Sequence, residues 1–141
     1  MKLLLALLAL LSLACIFSEV PQSCAPQWVT LAEGVWATYY GPKYVPGVSV
    51  TASGEFYGDG VALGPDLLTQ ARELTGQMWS FKVRIVDPAT GIALLLPVTD
   101  TGLGPVGDTP GLEVDLPDDL WLRFGYPAKF GVIIVRVEAQ K

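Results

Sequence analysis

Two acidic residues have surroundings suited to acid-base chemistry in a chain that contains no histidine. Glu55 lies within Val50–Gly60, "VTASGEFYGDG", between a Ser53-Gly54 bend and the Phe56-Tyr57 pair. Asp100 follows the apolar run from Ile92 to Val98 and precedes Thr101-Gly102, which puts it at a strand end where a side chain can face a cleft. A carboxyl group there is partly desolvated, which raises its pKa and suits it to general-acid work. The alternative is that Asp100 bonds the backbone of its own Gly-rich loop. Without histidine the usual neutral-pH proton shuttle and the commonest zinc ligand are missing. Ser-His-Asp and Cys-His sites are excluded, neither metal nor cofactor is expected, and acid-base chemistry falls to carboxylates. Asp115, just ahead of a helix with Pro117 in its first turn, is expected to cap that helix or its entry turn. Asp108 and Glu113 read as solvated loop charges.

The bulk properties frame this chemistry. The chain has 141 residues, with nine basic and 14 acidic side chains. An acidic protein gains nothing electrostatically from nucleic acid or anionic head groups, so neither is an expected partner. Residues 1–14 combine Lys2, a Leu/Ala run and a small-residue end, the pattern of a signal peptide. The run is shorter than the roughly 20 residues of a membrane span. Ala14-Cys15 resembles the end of a lipobox, which would make Cys15 a lipidated anchor and the only link to a membrane. Ser12-Leu13-Ala14 also fits an ordinary cleavage site, and a disulfide of Cys15 or Cys24 is a third reading. No cysteine follows Cys24, so the domain itself carries no thiol nucleophile. Export to the periplasm or cell envelope follows from the leader, and a monomer is expected.

The elements that must position the acids read as mostly β. Residues 15–33 form a tether, and residues 34–141 form one domain. "GVWATYY" is rich in strand formers. "SFKVRIV" alternates, with Phe81, Val83 and Ile85 on one face and Lys82 and Arg84 on the other. "DPATG" is a hairpin turn. "IALLLPV" reads as a strand buried on both faces, and "KFGVIIVRVE" as the last strand. "GPDLLTQARELTG" and "DLPDDLWLRFG" read as short helices closed by Gly76 and Gly125. Short strands with long Gly/Pro-rich connections suggest a small closed barrel.

Several segments, in order, resemble one family. "ATYYGP", "TASGE", "VRIVDPATGIALLLPVTDTG" and "LEVDLPDDLWLRFG...VIIVRVE" are similar to the rare-lipoprotein-A domain, over about Trp36 to Glu138. The "DTG" at Asp100 also resembles the related membrane-bound lytic transglycosylase A barrels. The resemblance implies a six-stranded double-psi β-barrel with one or two short helices, in secreted or lipid-anchored bacterial proteins. It implies peptidoglycan glycan strands as partner, and either lytic transglycosylase activity or non-catalytic, expansin-like binding. Of the family's cleft residues, the Glu after "TASG" matches Glu55 and the Asp of "Asp-x-Gly" matches Asp100. The family's His has no counterpart; by count Asp66 stands in its place, where it would otherwise cap the following helix. In the implied reaction Asp100 exchanges the proton and Glu55 stabilises the sugar's positive charge or positions the sugar. Tyr39, Tyr40, Phe56 and Tyr57 are candidates to stack on sugar faces, with core packing as the alternative for at least half of the aromatic residues around them, Trp36 included.

Overall fold

Alternating apolar side chains drive the architecture, a closed barrel of six strands with two short helices, seen in a computed structural model. The structure describes residues 25–40, 50–55, 60–102, 109–127 and 131–141. Cys15, Phe56, Tyr57, Asp108 and the side chain of Tyr40 lie outside the described residues. The elements are β1 (Trp28–Tyr40), β2 (Val61–Leu63), α1 (Pro65–Thr75), β3 (Lys82–Val86), β4 (Ala93–Thr101), β5 (Leu112–Pro117), α2 (Asp118–Arg123) and β6 (Ile133–Gln140). Around the barrel the order is β1-β5-β2-β4-β3-β6. The β1–β5 and β2–β4 pairs are parallel; the other four are antiparallel. A parallel pair needs a long crossover between its strands, which accounts for the long connections in the sequence.

The expected mostly-β barrel with two short helices is what the structure has, with corrections to its parts. Strand β1 begins at Trp28, inside the stretch read as a tether, because Trp28–Ala37 pair with Ile133–Gln140 of β6. Two strands, β2 and β5, were not expected. Leu112–Pro117 continues as strand because β1 and β2 flank it, so the helix read from Asp115 starts only at Asp118, with Pro117 as its N-cap. Strand β4 is covered on one face only: Leu94, Leu96 and Val98 are buried, whereas Leu95 is 51% exposed.

The hairpin turn is as expected. The Asp87 carboxylate accepts the Ala89 N–H at 2.8 Å, the Thr90 hydroxyl at 2.6 Å and the Tyr126 hydroxyl at 2.9 Å. Burial works against its charge, but those three donors outweigh it and hold the carboxyl below its ordinary range. The Tyr126 bond ties the segment after α2 to the β3–β4 turn. In the core, Trp121 and Phe124 are fully buried with Leu116, Val114, Val135 and Val137. Each large core side chain is worth about 2–5 kcal/mol against truncation.

Closure at β2 depends on a glycine. A Cβ at Gly60 would lie 2.5 Å from both the Pro97 carbonyl oxygen and Thr99 Oγ1. Backbone cannot yield as a flexible side chain can. Gly60→Ala should therefore destabilise the fold by about 1–3 kcal/mol, read as a lower urea midpoint with unchanged m-value; an unaltered midpoint would contradict the close packing of β2 on β4.

Candidate active site

A β-bulge creates the site. Val61 pairs with Val98, but the next residue, Ala62, pairs with Asp100, leaving Thr99 as the extra residue on β4. Simple alternation after Leu94, Leu96 and Val98 would turn Asp100 into the core. The bulge instead sets it level with Ala62, whose neighbours Val61 and Leu63 are the inward-facing residues, both fully buried. On its other side Ala62 pairs with Asp115 of β5, and Asp115 pairs with Thr38 of β1. Residues paired across a sheet share a face. One row thus runs Thr38–Asp115–Ala62–Asp100 across four strands. The acids stand two strand spacings apart, about 10 Å at their Cα atoms, with only the Ala62 methyl between them.

Each acid is held differently. The Thr38 hydroxyl donates to Asp115 Oδ1 at 2.8 Å. Asp115 is 8% exposed, and its carboxyl is pushed up to about 6. Burial is the main cause, the Thr38 bond pulls the other way, and the negative charge of Asp100 pushes it further up. Asp100 Oδ1 accepts the Ala52 N–H at 3.1 Å and the Thr101 N–H at 2.9 Å. Asp100 therefore does bond loop backbone, while also facing Asp115.

Asp115 is a correction to the sequence reading. It caps nothing: the N-cap of α2 is Pro117, with no side-chain hydrogen bond. The usable signal was the alternation in "LEVDLP", where Leu112, Val114 and Leu116 point one way and Glu113, Asp115 and Pro117 the other. The nearby prolines and acids suggested a helix start and masked that period.

Glu55 sits to one side of this row. The Ser80 hydroxyl donates to its Oε1 at 2.6 Å. The residue is exposed, and its loop is tied to the barrel through Ser53 N–H to the Thr99 carbonyl and Ala52 N–H to Asp100. Asp66 is exposed in the first turn of α1 and does not cap it; Gly64 does, without a side-chain bond. Asp66 faces Glu113 instead. Burial first, and then the Asp66 charge, raise the Glu113 carboxyl. Glu113 is thus a half-buried strand residue, not a solvated loop charge. Tyr39 pairs with Leu116 and lies against the core, its ring 5.0 Å from Trp121, which removes it from a sugar-stacking face. Trp36 is exposed on β1, at 41%. Among the described residues no group of three or more His, Cys, Asp or Glu could hold a metal ion.

No protein-family model matches the chain, and no curated protein sequence matches it either.

The raised Asp115 carboxyl has a consequence for stability. Between the unfolded value of 3.8 and the folded value of about 6, the folded chain holds a proton that the unfolded chain releases. Asp115's contribution to stability therefore falls as pH rises through that window. The difference curve between wild type and Asp115→Asn, from urea unfolding at several pH values across it, should show wild type losing about 1–3 kcal/mol relative to the variant. A flat difference would mean that Asp115 titrates normally.

Proposed function

We propose that this barrel cleaves peptidoglycan glycan strands as a lytic transglycosylase, with Asp115 as the proton donor and Asp100 as the carboxylate facing it. The observation that carries the reading is the pairing of both acids with Ala62. A carboxyl that titrates at about 6 retains roughly one proton in ten molecules at pH 7, and a general acid works best with a pKa near the working pH. The substrate class comes from the motif order shared with the rare-lipoprotein-A domain and from the barrel that carries it.

The steps balance without water. Asp115 gives its proton to the glycosidic oxygen as the anomeric C–O bond breaks. The positive charge growing on the sugar ring meets Asp100, as carboxylates meet oxocarbenium-like transition states in other glycoside cleavages. The sugar's own 6-hydroxyl oxygen then bonds to the anomeric carbon. Its proton returns to Asp115, which restores the acid. The proton donor is thus Asp115, in place of the Asp100 expected from sequence, because Asp100 Oδ1 is occupied by two backbone N–H groups.

Those same bonds favour a second reading. Asp100 and Glu55 both have structural partners, as they would in a barrel that binds glycan without cleaving it. In either case the leader directs the chain to the cell envelope, with Cys15 as its acyl anchor and the barrel acting as a monomer on the wall.

Incubation with peptide-free glycan strands should yield anhydro-muramyl ends by mass spectrometry. Asp115→Asn should lower their rate at least about 100-fold while strand pull-down persists. Strand binding with no anhydro product from the wild type would establish the binding reading and end the catalytic one. Palmitate labelling should require Cys15; equal labelling of Cys15→Ser would remove the anchor.

A further inference from the structure

Three exposed apolar side chains gather where β1 meets β6. They are Trp36, Val132 and Ile134, at 41%, 43% and 53% exposure. Trp36 pairs with Ile134, and Ala37 with Ile133. Val132, one residue ahead of β6, is thereby brought toward Thr38. Single exposed apolar residues are ordinary on a protein surface, whereas neighbouring ones mark a place of contact.

The indole is braced before any ligand arrives. The Trp36 N–H donates to the Gly111 carbonyl at 2.7 Å. A Cβ on Gly111 would lie 3.9 Å from the indole Cδ2, so the ring rests against this glycine. Gly111 has a φ of 83°, a left-handed backbone that glycine adopts without cost. An aromatic side chain fixed in this way loses little freedom on binding.

The apolar strip starts where the acidic row ends. Ala37 is fully buried and Tyr39 lies against the core, so Trp36 and Thr38 share the outward face of β1. They stand about 7 Å apart along the strand, and the Thr38 hydroxyl holds Asp115. A ligand that covers both places needs a flat apolar face and a polar rim. A pyranose ring has both: C–H groups on its faces and hydroxyls at its edge. Its face suits an aromatic ring. A protein partner would need about 800 Å² on each side, more than three side chains supply.

We infer that Trp36, flanked by Ile134 and Val132, is a stacking platform for a second sugar of the strand, next to the one cleaved at Asp115. This assignment rests on the glycan reading above and deepens it. It gives the bound strand a direction, from Asp100 across Asp115 toward β6, and it makes affinity depend on strand length.

β-1,4-linked N-acetylglucosamine dimers and tetramers would be titrated into the isotope-labelled protein by NMR. The tetramer should move the Trp36 indole N–H signal and bind more tightly than the dimer. Trp36→Leu should weaken the tetramer about three- to tenfold, and Trp36→Tyr should restore most of the loss. In strand cleavage, Trp36→Leu should raise KM by a similar factor with kcat unchanged. An indole signal unmoved at saturation, or equal tetramer affinity in Trp36→Leu and wild type, overturns the platform. Cleavage that continues with an unchanged KM in that variant overturns it too, and leaves the transglycosylase reading intact. Trp36-dependent binding without anhydro products ends the cleavage reading and leaves the platform. A wild type that binds neither oligomer nor strand overturns both.

Discussion

Everything that gives this barrel a candidate site passes through β2, a strand of three residues. It closes the barrel by pairing with β4 on one side and β5 on the other. A strand this short has little pairing energy of its own, and its parallel side is the weaker geometry. Its hold comes from burial: Val61, Ala62 and Leu63 are all within 3% of complete burial. The bulge at Thr99 follows from the same packing. Without the extra residue Asp100 would face the core, where an unpaired carboxylate is costly. With it, Thr99 is buried with its hydroxyl unpartnered among the described residues, a cost of about 1–3 kcal/mol. The barrel thus carries a local penalty at Thr99 that accompanies the placement of an acid two residues from its hydrophobic interior.

Much of the frame was legible in the sequence, for identifiable reasons. The alternation of "SFKVRIV" and the "DPATG" turn are local patterns with local causes, and they appear in the structure as β3 and its hairpin. The apolar spacing of α1 is equally local. Strand β2 was illegible because three residues carry no periodicity. Strand β5 was hidden by Pro117 at its end and the acids Asp118 and Asp119 of α2, which imitate a helix start. Its real determinant is the pair of strands beside it, and no sequence window contains them.

The site was half legible. Asp100 stood out because it ends an apolar run, a feature read along the chain. Asp115 did not, because its importance lies across the sheet: burial, Thr38 and the charge of Asp100 make it unusual, and these partners lie 15 to 77 residues away. Glu55 stood out by its neighbours in sequence, yet its carboxylate is held by Ser80, 25 residues on. Aromatic candidates divided the same way. Tyr39 and Trp36 are three residues apart on one strand, and the alternation of side chains along it leaves Trp36 exposed and Tyr39 on the core.

The two N–H bonds to Asp100 Oδ1 link events that would otherwise be independent. One donor, Thr101, belongs to the rigid barrel; the other, Ala52, belongs to the loop that carries Glu55. Any excursion of that loop strips a donor from Asp100, alters the field at Asp115 and moves Glu55 together. Loop position and proton affinity are then thermodynamically linked: whatever settles the loop also tunes the acid, and protonation of Asp115 feeds back on the loop with the same coupling free energy.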